Sequence, residues 1–519
     1  MEEDVLFGKH RHLFGGIAPS NMLAFTAKAN KDNSTVTITA KLPKDTIIDN
    51  QMVCCVGGVV IRTSTSDYPK DEFDGELVAD ISEDSELNVA ISGEEIIYFS
   101  AFPYSKQGVY NRNKTNRTRV DCRRLYGYLF GYDLTVATKD PTTRVTYPDD
   151  VDNAGFKAAY MDFDTSTFDY GDWNFAAGEK FMPRPCMLKY DGTVAHYLDP
   201  NDYTKKDDGV SNSSVQGSSF GGNAMMEWPK IYTKRWEENG VYHFRCSDTK
   251  IDDDYECWCN YDANNNEIDH FYTAIFRSAT VSSRSRSYSG AGAYRELSMS
   301  TERTYAQKNG TGWDLEILAD HLLIQDLLVL MAKTTDTQTA YGVGRSSNVF
   351  VVTGGANASG LFSGANDSSK SVKVFGMEDW WGDLSRRLLG LTVYSGKLYA
   401  KITKGTKDGS TINDYIIDSV SGYLGCGNAR TETAYGYISK MATYPWGRLP
   451  SAFNGSASTY ECDYGRIDYN THSYMPAEIG GSYEVQNPYK GAFGCRFSYT
   501  AASSPAWMTS RLSYKPTAT

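Results

Sequence analysis

The residue types that most often carry chemistry are present in this chain without the spacings that put them to work. Seven histidines lie at positions 10, 12, 196, 243, 270, 321 and 472. None falls in an H-E-x-x-H or comparable zinc-binding arrangement. His321 follows Asp320 inside an apolar run, the setting of a core histidine held by its neighbours. In "KIDDDYECWCN", residues 250–260, Asp252, Asp253 and Asp254 stand in a row. They lack the alternating ligand positions and central glycine of a calcium loop, and so predict a solvated acidic turn. Cys257-x-Cys259 and the adjacent Cys54-Cys55 are not at zinc-finger spacing. No G-x-S-x-G elbow, phosphate-cradling glycine loop or dinucleotide fingerprint occurs. Carboxylates are plentiful, but nothing singles out a glycosidase pair. The residues therefore predict no catalytic group, no metal and no cofactor.

What the chain has in excess is tyrosine, 37 against 22 phenylalanines. Tyrosine joins a stiff apolar face to a polar tip and suits binding surfaces. The closing stretch "EIGGSYEVQNPYKGAFGCRFSYTAASSPAWMTSRLSYKP" mixes two kinds of residue. Paired glycines and the alternation Phe493, Cys495, Phe497 read as rigid frame. Tyr483, Gln486, Tyr489, Arg496, Tyr499 and Trp507 read as a contact surface. In "FGMEDWWGDLSRR", residues 375–387, two adjacent tryptophans predict core packing, with an indole N–H finding a carbonyl.

The elements that position these residues follow from length and periodicity. A chain of 519 residues calls for two to four domains. Its net charge of −12 and the lack of any long basic run argue against a phosphate-binding surface, so no nucleic-acid partner is expected. The start, "MEEDVLFGKHRHLFGG", lacks the apolar core of a signal peptide, and no apolar run is long enough to span a membrane. The expectation is a chain made in a cytoplasm, without membrane insertion, whose cysteines are free buried thiols.

Residues 1–18 read as an N-terminal arm and 19–115 as all-β. In "STVTITAKLP", Val36, Ile38, Ala40 and Leu42 alternate with Thr35, Thr37, Thr39 and Lys41. The basic, Asn/Thr-rich segment "NRNKTNRTRVDCRR", residues 111–124, reads as a solvated linker, which sets the boundary at 115/116. Residues 116–519 read as one large α+β domain rich in loops. Asp191-Gly192 predicts a hairpin turn. "WDLEILADHLLIQDLLVLMAKTTD" is apolar around most of its circumference and predicts a buried helix, capped at Trp313-Asp314.

Five segments then resemble a known family in order: "MEWPKIYTKRW" (226–236), the buried helix, "FGMEDWWGD" (375–383), "YPWGRLP" (444–450) and "EIGGSYEV…GAFGCRFS" (478–498). Together they are similar to the C-type lectin fold in its formylglycine-generating-enzyme-like form, as used by target proteins of diversity-generating retroelements on phage and prophage tails. The likeness spans roughly residues 120–519. The run Ile97–Tyr104 in turn resembles a late strand of immunoglobulin or fibronectin type III sandwiches, commonly spacers.

The likeness implies a frame of Trp446, Gly447, Gly480, Gly481, Gly491, Phe493, Gly494 and Leu512. It implies a variable surface within about 440–519, formed by Tyr464, Arg466, Asp468, Tyr469, Tyr483, Gln486, Asn487, Tyr489, Arg496, Tyr499, Ser503 and Trp507. Tyrosine, serine, asparagine, arginine and tryptophan are also the residues of antibody paratopes. The sequence departs from calcium-dependent lectins in lacking E-P-N, Q-P-D and W-N-D. It departs from the oxidases in having Cys462 and Cys495 far apart. The implied function is a virion adhesin, not an enzyme, that binds a bacterial surface receptor. It would join other tail proteins and form a homo-oligomer, with a trimer fitting tail symmetry. An oxidase of the superfamily, a glycan depolymerase and a structural baseplate protein are the alternatives.

Overall fold

The structure, a computed structural model, describes residues 17–30, 35–90, 96–122, 127–174, 181–293, 295–346, 350–470, 473–481 and 489–518. The chain is mostly β-sheet, 40% strand against 7% helix. The expected α+β character of the larger part thus reduces to a β framework around one long helix. The chain divides between Gly127 and Tyr128 into two compact units.

The first unit has a three-stranded sheet, Ala24–Asn30, Thr35–Lys41 and Ser85–Ala90, and a four-stranded one, Glu76–Ile81, Val56–Ser64, Ile96–Ser105 and Arg117–Asp121. All these pairings are antiparallel. Val36, Ile38 and Ala40 from one sheet and Val59, Ile61, Phe99 and Ala101 from the other share one core. The alternation read in "TVTITAK" is therefore a real inward face.

The basic segment is not a linker. Arg117–Asp121 pairs with Ile96–Ser100, and Cys122 behind it is wholly buried in the same core. Arg119 points outward on an edge strand, where a basic side chain discourages further strand pairing. The boundary therefore falls at 127/128 rather than 115/116. Composition marked this stretch as solvated because its outer face dominates the count.

The second unit is built on the helix Leu318–Ala332, all fifteen of whose residues are buried. The expected cap at Trp313-Asp314 is instead a strand, Trp313–Leu315, laid against Leu512–Tyr514. The reason is that Trp313 and Leu315 both bury their side chains while Arg303 holds Asp314 at 2.9–3.1 Å. The helix starts after Ile317 without a side-chain cap and closes on Lys333 in the left-handed region. Asp191-Gly192 does turn a hairpin, between Arg184–Lys189 and Val194–Tyr197.

Four polar side chains on this helix have no access to water, so each needs a protein partner. Asp326 accepts hydrogen bonds from Tyr132 at 2.7 Å, Arg235 at 2.7 Å and Tyr242 at 3.2 Å. Asp320 accepts from Lys515 at 2.6 Å and Ser513 at 3.1 Å. Gln325 donates to the Ala492 carbonyl at 2.7 Å. His321 stacks on Trp380 at 4.8 Å, and burial pushes its pKa down, as expected of a core histidine. Trp380 and Trp381 are fully buried; Trp381 donates to the Gly342 carbonyl at 2.9 Å, whereas the Trp380 indole N–H has no acceptor among the described residues.

Three sheets surround this helix. A four-stranded one contains Leu129–Thr135 and Tyr232–Glu238, and a six-stranded one contains Trp313–Leu315 and Leu512–Tyr514. The third runs Leu424–Cys426, Lys397–Ala400, Ser385–Tyr394, Met475–Ile479, Cys495–Phe497, Tyr464–Ile467 and Ala434–Tyr437, with Met508–Thr509 joining off Ser385–Tyr394.

Replacing Asp326 by Ala should cost about 3–5 kcal/mol, because Arg235 would be left charged and unpaired in the core. Breaking the exposed Lys157–Asp169 pair should leave the unfolding midpoint nearly unchanged. Chemical denaturation of the full chain measures both.

Candidate functional site

The third sheet carries the candidate site on its outward face. Cys495–Phe497 lies parallel to Tyr464–Ile467 and antiparallel to Met475–Ile479. Since side chains alternate along a strand, Cys495 and Phe497 turn inward with Gly465 and Ile467, all buried. Arg496 then turns outward. In the same row, register places Tyr435 opposite Arg466, Arg466 opposite Arg496, Arg496 opposite Glu478, and Glu478 opposite Arg387. One row across five strands is thus tyrosine, arginine, arginine, glutamate, arginine.

Two like charges in adjacent register repel, and each arginine here has its own carboxylate. Arg466 Nε donates to Asp468 at 2.6 Å, a bond that raises the arginine's pKa. Arg496 donates through Nε at 3.0 Å and Nη2 at 2.7 Å to one oxygen of Glu478. Burial pushes the Glu478 carboxyl up, and the guanidinium pulls it back. Behind Glu478, Arg387 donates to the carbonyls of Ser503 at 2.5 Å and Leu297 at 3.1 Å, which ties the 498–507 loop to the sheet.

Aromatic rings fill the spaces around these charges. Tyr437 meets Tyr464 edge-on at 5.3 Å, and Tyr464 meets Tyr489 at 5.2 Å. The Arg496 guanidinium lies 5.3 Å from the Tyr489 ring centre and 5.0 Å from that of Tyr499, which meets Trp507 at 5.9 Å. Each cation–π contact of this kind contributes about 0.5–1 kcal/mol. The result is a continuous strip from Tyr435 to Trp507, with a frame beneath that leaves little freedom to move. Arg466 keeps 44% of its side-chain surface and Tyr435 63% of its surface open to solvent.

The strip brings together Tyr464, Arg466, Asp468, Tyr489, Arg496, Tyr499 and Trp507 of the expected contact set. Ser503 stands at its rim, bonded to Thr500 at 3.1 Å. Tyr469 lies off the strip, 41% exposed, with its amide bonded to Thr433 at 3.1 Å. Tyr483, Gln486 and Asn487 lie outside the described residues. Trp507 sits deeper than a contact residue would, half-buried and with its indole N–H enclosed without a partner. The expected frame residues Trp446, Gly447, Gly480, Gly481, Gly491, Phe493, Gly494 and Leu512 are all buried.

Tyr435, Tyr437 and Glu478 were not expected at the site. Tyr435-Gly436-Tyr437 has the alternation of a strand with one aromatic face, which would have signalled them just before position 440. Glu478 gives no sequence signal, because its role appears only when the register sets it beside Arg496.

The strip offers π faces, hydroxyls and guanidinium edges, which suit noncovalent recognition rather than bond breaking. All ten cysteines are free and nine are buried; burial pushes the Cys495 thiol up to about 12 and raises Cys462 as well, the opposite of an activated thiolate. Asp252 and Asp254 pair with Lys234 in an acidic turn. Among the described residues no group of three histidine, cysteine or acidic side chains could hold a metal ion, and no helix is long and apolar enough to cross a membrane. Comparison with protein-family models and with curated protein sequences finds no match.

The frame and the strip should respond differently to truncation. Phe497→Ala should cost about 3–5 kcal/mol, the usual loss for a buried aromatic. Tyr464→Ala, on the outer face of the same sheet, should change stability by less than about 1 kcal/mol. Thermal and urea unfolding of the two variants checks the contrast.

Proposed function

We propose that this chain is a receptor-binding protein of a bacteriophage or prophage tail, a binder rather than an enzyme, carried on the virion and directed at a bacterial cell-surface receptor. In this reading the first unit is a fibronectin type III-like spacer. The second is a C-type lectin-like head of the formylglycine-generating-enzyme-like form, whose last eighty or so residues supply the diversified contact surface. Other tail proteins would anchor the chain, and a trimer would multiply modest single-site affinity into firm attachment.

The observation that carries this reading is the division of one sheet into two faces. Seven of the twelve residues expected to make contact lie along an outward strip of tyrosines and arginines. The residues between them are buried and hold it in place. Such a surface is pre-organised: Arg466 and Arg496 are already oriented by carboxylates, so less conformational entropy is lost on binding. Central arginine and tyrosine side chains are the residue types that most often dominate binding energy at interfaces.

Fluorescently labelled full-length protein should adsorb to some members of a panel of gut bacterial isolates. Tyr464→Ala, Arg466→Ala and Tyr489→Ala should each weaken that adsorption about tenfold or more while lowering the melting temperature far less than Phe497→Ala does. A triple variant that still adsorbs like the parent would exclude the strip as the receptor site. Adsorption to no isolate would count against the adhesin reading itself.

A further inference from the structure

A second site lies in the same unit, away from the residues of the strip. The glycine- and serine-rich segment 354–371 and the hairpin of Tyr160–Asp162 and Thr167–Asp169 wall a cleft of about 500 Å3. The segment is fixed from the core side. Glu378 accepts the amides of Gly354 at 2.8 Å and Ala356 at 2.9 Å, and the buried Lys373 ammonium donates to the Ala356 carbonyl at 2.9 Å. The cleft wall is therefore a built surface rather than a loose loop.

The lining of this cleft has one sign of charge. It contains Arg345 and Lys370 and no carboxylate, in a chain with a net charge of −12. Arg345 has no ion-pair or hydrogen-bond partner for its guanidinium among the described residues, and its Nε is shut off from solvent and unsatisfied. The acidic neighbour of Lys370 is Asp367, whose carboxylate already takes the Ser369 amide at 2.9 Å and the Ser369 hydroxyl. Arg345 is only half-buried, so its guanidinium is partly shielded and still open to an anion from the cleft.

The remaining lining is aromatic and hydroxylic. Phe168 stacks on Phe362 at 4.4 Å and meets Tyr170 edge-on at 4.9 Å, while Ser166, Thr167, Ser363 and Ser371 bring hydroxyls. At Gly355 an added Cβ would meet no protein atom within 4 Å, so a side chain there would extend into open space. Tyr170 and Asn201 also line a second cleft of about 790 Å3, which contains Trp173 and prolines 183, 185, 200 and 229. Both clefts fall in the size range of ligand sites. The second is mixed in charge, with Arg184 3.8 Å from Asp207 and with Glu227 held by the Tyr197 and Tyr272 hydroxyls.

We propose that the two clefts form one groove for an anionic oligosaccharide. A carboxylate or phosphate substituent would sit against Arg345 and Lys370, and the sugar chain would run past Phe168 and Tyr170 into the second cleft. Hydroxyl-rich walls match a ligand that is itself hydroxyl-rich. The prolines of the second cleft have no N–H to offer a peptide backbone. The one-sided charge of the first cleft sets the polarity of the bound chain. This site shares no residue with the tyrosine–arginine strip and stands or falls independently of it.

The test is calorimetric titration of the full chain with polygalacturonate, dextran phosphate, neutral dextran and poly-L-glutamate. One of the first two polymers should bind, and which one does assigns the group to carboxylate or phosphate. Dextran and poly-L-glutamate should bind at least about tenfold more weakly. Arg345→Gln should weaken binding about tenfold or more, the loss expected for one charge-assisted contact. Gly355→Phe should weaken it by obstruction with the charges intact, and Arg466→Ala on the strip should leave it unchanged. Thermal unfolding of each variant shows that the fold is kept. Binding of neither anionic polymer, equal binding of poly-L-glutamate, or full binding by a folded Arg345→Gln protein would overturn the assignment.

Discussion

The second unit depends on a helix with nowhere to put its polar side chains except inside the protein. Leu318–Ala332 is enclosed on every side, yet it carries Asp320, His321, Gln325 and Asp326. Burying these groups is tolerable only if other segments bring matching donors and acceptors to fixed places. The strands at 129–135 and 232–247 answer Asp326, the C-terminal segment answers Asp320, the turn before Phe493 answers Gln325, and Trp380 covers His321. Pieces of chain more than 150 residues away in sequence are thus held by side chains of one helix.

That requirement reaches the outer sheet through short steps. Gln325 fixes the Ala492 carbonyl, and Asp463 accepts the Phe493 amide at 2.9 Å. These two residues sit beside the strands that carry Arg466 and Arg496. Burial raises the Asp463 carboxyl far above its ordinary value, and a Cβ on Gly491 would collide with it. The outward positions can therefore take side chains of many types while the backbone beneath them is determined from below.

Much of the first unit was legible because its strands have one wet and one dry face, so that Val36, Ile38 and Ala40 betray the core by alternation alone. The helix was legible as buried for the complementary reason, having no polar face at all. The linker reading failed at Arg117–Asp121, where Arg117 and Arg119 in the edge strand, with Arg112 and Lys114 before it, outweigh the inward Val120 and Cys122 in any composition count. Arg496 and Tyr499 could be picked out by residue type in the closing stretch, and Tyr464 and Arg466 only through the family resemblance. Glu478 and the Arg345 cleft could not, since their meaning lies in strand register and in the absence of a nearby partner, and neither quantity is local in sequence. Asp314 shows the same limit: it resembled a helix cap, but its carboxylate was committed to Arg303.

The alternation of Cys495, Arg496 and Phe497 also limits how such a surface can change through descent. With a period of two, one added or deleted residue within the strand would carry Arg496 into the core and expose its neighbours, which inverts the whole row at once. Replacement at the outward positions has no such penalty. Substitution can therefore change the outward face of the strand residue by residue at constant length, whereas changes of length fit only in the loops between strands.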